Sequence, residues 1–273
     1  MVNGICVYVN RDTFNHIRSL NGETSASQFY IRFQNENRLK KTIADFKLKY
    51  NLTDENVKEN FRLIAQAANI PVENITAGAQ DHHTNVRRVT MKNAGTGIWK
   101  PKDMESVDGL VTDEPNLPLL IYAADCVPLY FYDPIHHAIG LSHAGWRGTV
   151  NGMAKATVEK MQEEFDTRPE DLLAAIGPSI AKECFEVDAP CAEEFLALPD
   201  SDKFVTDDGN GKFHVDLWAC NRAFLLGAGV LPEHITTGGV CTMCNSDLLF
   251  SHRVTRGKRG SNAGFLMLRE QNA

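Results

Sequence analysis

The chain has 273 residues, a hydrophobic content of 43% and a formal net charge of −7 at pH 7. This composition is ordinary for a soluble globular protein, and the negative charge argues against general affinity for nucleic acid or for an anionic membrane surface. No apolar run reaches the roughly 18 residues that a membrane helix requires, and the N-terminus lacks the basic and apolar regions of a signal peptide.

The seven cysteines are an odd number and lack the spacing of a small disulfide-rich domain. They favour a reducing environment and mostly buried thiols. We therefore predict a cytoplasmic protein with neither a nucleic-acid partner nor a membrane partner. These bulk properties leave the oligomeric state open.

The N-terminal part of the chain predicts a strand at residues 4–10 and one long helix. Thr53 or Asp54 is suited to cap this helix, which would run to about Asn69. Its buried face is predicted from an apolar stripe with helical spacing, formed by Val57, Phe61, Ile64, Ala65 and Ala68. The next segments are predicted as a loop at residues 92–106 and a strand at residues 110–112.

Three strand-like runs occupy the centre of the chain, at residues 119–123, 128–132 and 138–142. Asp133 and Pro134 form a turn signal between the second and third runs, which predicts a β-hairpin. In such a hairpin the chain leaves and returns at the same end of the sheet. Cys126 and His143 are then expected to be neighbours, although 17 residues separate them in the sequence.

The C-terminal half alternates predicted helices and strands. The predictions are an amphipathic helix at 150–165, strands at 172–176, 248–251 and 264–268, a short helix opened by Asp188 and Pro190, a polar loop at 202–212 and a helix at 216–229. Interleaved helices and strands, with hairpins among them, predict a mixed α/β fold with a mixed β-sheet core flanked by helices. Because no linker divides the chain, we predict a single domain over residues 1–273.

Cys126 and His143 are candidate metal ligands, together with one of the adjacent His82 and His83. Neighbouring side chains on an extended chain point in different directions, so only one of the paired histidines is expected to face inward. Two imidazoles and one thiolate suit zinc, and three protein ligands leave a fourth position open for catalysis. The same ligands suit copper. The spacing is equally compatible with a buried cysteine and a structural histidine.

A second interpretation of the same residues is nucleophilic catalysis without a metal. Cys126 would be the thiolate and His143 its base. Elsewhere, Cys241 and Cys244 form a Cys-x-x-Cys pair that could be redox-active or half of a zinc site. Because no second pair of this kind exists in the sequence, we interpret these two cysteines as structural thiols.

Positive charge near the central hairpin suggests an anion site. Arg147 lies between two glycines, and a helix is expected to begin after Gly148, where free backbone N–H groups would bind phosphate. A basic segment that contains Arg253 is expected to contribute to the same site, with an exposed solubilising loop as the alternative.

The motifs around these residues resemble the laccase-domain proteins of the YfiH type, which were long described as multicopper polyphenol oxidases and are now described as purine nucleoside phosphorylases. The resemblance rests on ADCVPLYFYDP, HAGWRGTVNGM, AIGPSI, CT and FSHR, which begin at residues 124, 143, 175, 241 and 250. The segments Gln80-Asp81-His82 and Asp108-Gly109-Leu110-Val111-Thr112 also resemble family motifs.

The resemblance implies a zinc ion bound by His82, Cys126 and His143, with His82 chosen over His83. It implies a fold related to cysteine hydrolases. The implied reaction is phosphorolysis of adenosine, inosine, guanosine and methylthioadenosine, with adenosine deamination as a second activity. The implied partners are therefore a purine nucleoside and phosphate.

The sequence departs from the family pattern in two places. Leu20 stands where the family has an arginine in its N-terminal motif. Near the C-terminus, Val254 replaces a second arginine, and Ser261 follows Arg259-Gly260 where the family has Thr-Gly-Arg. These changes concern candidate anion-binding segments and leave the three metal ligands unchanged.

Three other functions compete with the phosphorylase. A copper-dependent polyphenol oxidase would use the same ligands but normally needs additional copper sites. A metal-free hydrolase would use the thiol of Cys126 and the imidazole of His143. A protein that only binds a ligand would keep the pocket without turnover.

Overall fold

The structure is a computed structural model that describes residues 5–6, 54–102, 104–258 and 260–270. Its helices are α1 (Asp54–Ala68), α2 (Trp146–Val150), α3 (Met153–Phe165), α4 (Ala189–Leu196), α5 (Leu217–Gly227) and α6 (His252–Thr255). Its strands are β1 (Ile5–Cys6), β2 (Thr76–Ala77), β3 (Val86–Arg88), β4 (Gly109–Thr112), β5 (Leu119–Ala123), β6 (Val127–Asp133), β7 (Ala138–Ala144), β8 (Leu173–Ile176), β9 (Glu186–Asp188), β10 (Val205–Asp207), β11 (Lys212–Val215), β12 (Ile235–Thr237) and β13 (Asn262–Leu266).

The largest sheet has six strands in the order β12-β8-β6-β7-β4-β3, with both parallel and antiparallel pairs. A four-stranded sheet has the order β1-β13-β5-β2, and a small antiparallel sheet has the order β10-β11-β9. The mixed α/β class is therefore confirmed. Within the described part of the chain, the strands form these three sheets and not the single sheet that we expected.

The two larger sheets pack face to face, and this explains the apolar runs in the centre of the sequence. Tyr130 and Ile139 of the six-stranded sheet share one buried cluster with Leu119 and Leu266 of the four-stranded sheet. Leu129 and Phe131 point to the opposite face, where they pack with α3 and α5. Because β6 is buried on both faces, its sequence is a continuous apolar run without polar alternation.

Helix α1 covers the outer face of the four-stranded sheet. The rings of Phe61 and Phe265 lie edge to face with centroids 6.5 Å apart, and Ile64 and Leu120 belong to the same cluster. The predicted stripe, from Phe61 to Ala68, is thus the buried face of this helix. The order of layers is α1, four-stranded sheet, six-stranded sheet, and then α3 with α5.

The structure corrects several predicted elements. The expected polar loop at 202–212 contains strand β10 and the start of β11, which pair as an antiparallel hairpin. The predicted strand at 248–251 is not a strand, and the short helix α6 follows it. The predicted helix at 150–165 is divided, because Gly152 adopts a left-handed conformation with φ of 78° before α3 begins.

The central hairpin and the remaining helices agree with the sequence-based expectations. β6 and β7 pair antiparallel from Val127↔Ala144 to Asp133↔Ala138. Helix α4 follows Asp188, and Asp216 caps α5 by accepting a hydrogen bond from the backbone N–H of Ala219. Only Ile5–Cys6 of the predicted first strand lies in the described part. The single domain over residues 1–273 stays a prediction, because residues 7–53 lie outside the described residues.

Where the chain is described, none of its helices combines the length and the apolar character needed to span a bilayer.

Candidate functional site

The β6–β7 hairpin brings Cys126 and His143 to one end of the six-stranded sheet. Pro128 pairs with His143, and Cys126 directly precedes β6. His143 is 3% exposed and Cys126 is half-buried. The two side chains are close enough to share a hydrogen bond, so the proximity inferred from the turn signal is confirmed.

A tight turn at residues 80–83 adds His82 to this pair. The buried carboxylate of Asp108 accepts hydrogen bonds from the backbone N–H groups of Asp81, His82 and His83 at 3.0, 3.1 and 3.2 Å. His82 has a left-handed backbone with φ of 71°, and its ring centroid lies 4.9 Å from that of His143. Three hydrogen bonds to one carboxylate hold a conformation that is uncommon for a residue other than glycine.

The structure places His83 outside the cluster. Its Nδ1 lies 2.7 Å from Oδ1 of Asp81 and 3.0 Å from the hydroxyl of Ser106, and its side chain is mostly exposed. The ligand atoms of His82, Cys126 and His143, in contrast, all lie within 4.8 Å of one another. Of the paired histidines, His82 is therefore the one in position to be a ligand.

The local packing fits a metal ion at this cluster. A methyl group added to Gly145 would overlap Nδ1 of His82 and would lie 3.3 Å from Sγ of Cys126. The glycine therefore leaves the space in which these two ligand atoms approach each other. Two imidazoles and one thiolate form a donor set for zinc or copper, and their number leaves one coordination position open.

Asp108 also orients His143. Its Oδ1 accepts a hydrogen bond from Nδ1–H of His143 at 2.7 Å, and both side chains are almost fully buried. A carboxylate on Nδ1 leaves Nε2 of the imidazole as the atom that can bind a metal, which is the usual arrangement around a ligating histidine. The sequence patterns had not predicted this role for Asp108. The available signal was an aspartate before a glycine at the start of a buried strand.

The two histidines have opposite pKa shifts. Burial lowers the pKa of His82, and the nearby His143 and Arg147 lower it further. Burial also disfavours the charged form of His143, but hydrogen bonds to Asp108 and Cys126 outweigh it and raise the pKa of His143 to about 9. Without a metal, His143 therefore keeps its second ring proton at neutral pH, and binding of a metal to its imidazole would release that proton.

Asp125, which directly precedes Cys126, is hydrogen-bonded to the C-terminal segments. Its buried carboxylate accepts hydrogen bonds from the hydroxyl of Thr242 at 2.6 Å, the hydroxyl of Ser251 at 3.1 Å and the backbone N–H of Arg253 at 2.7 Å. The CT and FSHR motifs therefore converge on one carboxylate. Only its position before Cys126 pointed to this role in the sequence.

The candidate phosphate residues lie beside the cluster. Arg147 is exposed, its guanidinium carbon lies 4.2 Å from the ring centroid of Trp146, and its charge reaches His82. Arg253 donates to the backbone oxygen of Glu186 at 2.8 Å. Arg147 and Arg253 both act to lower the pKa of Cys191, although burial dominates and raises it to about 11. The charges of both guanidinium groups therefore act on the same thiol.

The start of the predicted anion-binding helix needs correction. Helix α2 begins at Trp146 and not after Gly148. Gly148 is buried inside it, and the N–H of Thr149 donates to the oxygen of Gly145 at 2.8 Å. The N–H groups of residues 146–148 precede this bond, so they are the ones that a bound anion could reach.

Two of the departures from the family pattern can be located. Val254 lies in α6 and is 46% exposed, and Ser261 is half-buried just before β13. Leu20 and Arg259 lie outside the described residues. The structure therefore does not place them relative to the cluster.

This fold and this cluster define a mixed α/β protein in which the central hairpin and the 80–83 turn bring two histidines and one cysteine together. The chain belongs to the family described as multi-copper polyphenol oxidoreductase laccase, which it matches over residues 36–269. The resemblance to the YfiH type is confirmed by the crystal structure of YfiH from Bacillus licheniformis, with a TM-score of 0.77 and 33% identity over 80% of this chain and 82% of that chain.

Other relatives are similar to this chain over most of its length. Purine nucleoside phosphorylase YlmD of Bacillus subtilis is 34% identical over 80% of this chain and 79% of its own length. YlmD of Geobacillus stearothermophilus is 36% identical over 79% of this chain and 80% of its own length, and its crystal structure matches with a TM-score of 0.76. Human purine nucleoside phosphorylase LACC1 is 33% identical over 78% of this chain, which corresponds to 48% of LACC1.

Proposed function

We propose that this protein is a purine nucleoside phosphorylase that holds zinc through His82, Cys126 and His143. The observation that carries the proposal is the clustering of these three ligand atoms. Asp108 stabilises the cluster by accepting hydrogen bonds from the backbone N–H of His82 and from the ring of His143. The names of the relatives support the reaction class. The proposed substrates are adenosine, inosine, guanosine and methylthioadenosine together with phosphate.

The proposed reaction joins a phosphate oxygen to C1′ of the ribose and breaks the bond between C1′ and the purine nitrogen. The electron pair of that bond leaves with the purine, which then takes a proton. A zinc ion in the cluster would supply Lewis-acid chemistry to an oxygen or nitrogen of the bound reactants. We assign phosphate binding to Arg147, assisted by the N–H groups at the start of α2 and by Arg253.

The residues around the cluster would keep it in a reactive form. Asp108 holds the tautomer that leaves Nε2 of His143 available to a metal, and Gly145 leaves the space in which the ligand atoms of His82 and Cys126 approach each other. Burial keeps the imidazole of His82 neutral, which is the form that binds a metal. Arg147 would concentrate phosphate at this rim by charge attraction.

We also propose adenosine deamination as a side activity of the same pocket, because it needs a purine held beside the same ligands. Free thiols are carried by Cys126, Cys184, Cys191, Cys220, Cys241 and Cys244, which supports our inference of a reducing, cytoplasmic location.

Two other functions use the same residues and make different demands. A polyphenol oxidase is suggested by the description of the family and would require copper. A metal-free hydrolase is favoured by the proximity of Cys126 and His143, because a neighbouring imidazole can serve as the base for a thiol nucleophile. Both remain candidates that the following experiment separates.

The test measures release of adenine from adenosine by the zinc-loaded protein, with and without phosphate. We expect adenine and ribose 1-phosphate in equal amounts, no release without phosphate, and loss of release after chelation. Cys126→Ala should abolish turnover, whereas the matched control Cys220→Ala, in the core side of α5, should retain it. Turnover that survives chelation would favour the hydrolase, and oxygen uptake with a phenol and copper would favour the oxidase.

A further inference from the structure

A second group of cysteines lies outside the site described above. The Sγ atoms of Cys184, Cys241 and Cys244 all lie within 4.8 Å of one another, and those of Cys184 and Cys244 are 3.4 Å apart. Cys184 is 60 residues from Cys244 in the sequence, so sequence spacing did not reveal it as a third member. The pair that we interpreted as two structural thiols is thus part of a three-thiol cluster.

The backbone around this cluster points N–H groups at one sulfur. Ala181 donates to Sγ of Cys241 at 3.4 Å, and Cys244 donates to the same sulfur at 3.5 Å. Donors directed at a sulfur stabilise its thiolate, which is the form that binds metals.

The segments that carry the thiols are held independently of any ion. Ser179 and Cys241 form a parallel bridge, in which the N–H of Thr242 donates to the oxygen of Ser179 at 3.1 Å. The N–H of Cys184 donates to the oxygen of Ala181 at 3.0 Å. Two backbone turns therefore present three thiols to one point, and little rearrangement is needed for all three to bind the same ion.

We propose that Cys184, Cys241 and Cys244 form a second metal site, which binds a thiophilic ion such as zinc through three thiolates. Cys241 is buried, Cys184 is half-buried and Cys244 is exposed, so an ion can enter from solvent and a water molecule can complete its coordination. Three converging thiols distinguish this site from a disulfide, which would use only two of them.

A metal ion at this site would crosslink two segments that are distant in the sequence. It joins the turn after β8 to the segment 241–244, and Thr242 in that segment donates to Asp125 beside Cys126. A zinc ion on the thiols would therefore support the position of Asp125 without touching substrate. This proposal does not depend on the proposed phosphorylase activity.

The first experiment measures zinc binding by the full-length chain, purified with reductant and stripped of metal. We expect roughly two zinc ions per wild-type chain and roughly one for Cys244→Ser. The matched control Cys191→Ser changes a half-buried thiol that belongs to neither cluster, and it should keep the wild-type stoichiometry. Equal stoichiometry in Cys244→Ser and Cys191→Ser would overturn the proposal.

Cobalt absorption distinguishes this site from the cluster of His82, Cys126 and His143. In Cys126→Ala, added Co²⁺ should still give thiolate-to-cobalt charge-transfer absorption, and the double variant Cys126→Ala with Cys184→Ser should lose most of it. Because Cys126→Ala removes the thiol of the other site, this result would hold even if the proposed function fails. An absence of charge-transfer absorption in Cys126→Ala would contradict a three-thiolate site.

A measurement on the wild-type protein covers the case in which the variants do not fold. Iodoacetamide should modify Cys244 rapidly in the stripped protein and at least about tenfold more slowly after zinc is added, since a bound thiolate is a poor nucleophile. An unchanged rate would overturn the proposal. So would a disulfide between Cys184 and Cys244 in the freshly isolated protein, combined with no zinc uptake after reduction.

Discussion

Asp108 accepts a hydrogen bond from Nδ1–H of His143 at 2.7 Å, while its two oxygens also accept the backbone N–H groups of the turn that carries His82. One buried carboxylate therefore fixes the ring of one candidate ligand and the backbone of another. Geometry at this cluster depends on a residue that is not itself a ligand, and this dependence can be tested.

We expect Asp108→Asn to weaken zinc binding by about 10–100-fold, the range typical for partners of ligating histidines. An amide has one oxygen and one NH₂ group, so one side of residue 108 would present a donor to N–H groups that need an acceptor. Competition with a coloured zinc chelator measures the affinity. Asp113→Asn, which removes an exposed partner of Arg88, is the control. Equal affinities in the two variants would contradict this role for Asp108.

Gly145→Ala should weaken zinc binding by about tenfold or more, equivalent to about 1.4 kcal/mol. The added methyl group would overlap Nδ1 of His82, and displacement of that ring would separate the ligand atoms. Gly227→Ala is the matched control, because a methyl group there would meet no atom within 4 Å. Isothermal titration with zinc compares the two variants, and unchanged binding in Gly145→Ala would show that the space is not needed.

Asp125→Asn should lower the free energy of unfolding by about 1–3 kcal/mol, because the amide cannot accept all the hydrogen bonds from Thr242, Ser251 and Arg253. Asparagine tolerates the left-handed backbone at this position, so backbone strain does not contribute to the change in the free energy of unfolding. Asp200→Asn, at an exposed left-handed position, is the control. Denaturant unfolding measures both, and equal stability would contradict the anchoring role.

Asp133 should make a pH-dependent contribution to stability. Burial raises its pKa, but the nearby side chain of Thr167, together with hydrogen bonds from His136 and from the N–H of Ile135, outweighs this and lowers the pKa overall. A lowered folded pKa stabilises the protein above the unfolded value, about 3.9. That contribution disappears as the pH falls through the folded value.

The test compares the melting temperatures of wild-type protein and Asp133→Asn between pH 7 and pH 3. We expect the wild type to be more stable by about 1–3 kcal/mol near neutral pH, with a difference that shrinks below about pH 4. His136→Ala, which removes one of the partners on the same hairpin, should show a smaller effect. A difference that is constant over this pH range would contradict the assignment to Asp133.

Local sequence patterns were sufficient for the central hairpin. The apolar runs on both sides of Asp133 and Pro134 predicted β6 and β7, and their pairing confirms that Cys126 and His143 meet. The stripe on α1 and the cap at Asp216 were also predicted correctly, since periodicity and capping depend on residues only a few positions apart. The β10–β11 hairpin was missed because its strands are short and largely exposed.

By itself, the sequence determined the mixed α/β class, the central hairpin and the family motifs around Cys126 and His143. Only the tertiary structure decided which segments meet there: Asp108 under the His82 turn, Thr242 on Asp125, and Cys184 beside Cys241 and Cys244. The physical reason is that turns and periodic faces are local properties of the chain. Contacts between residues tens of positions apart depend instead on how the sheets pair and pack.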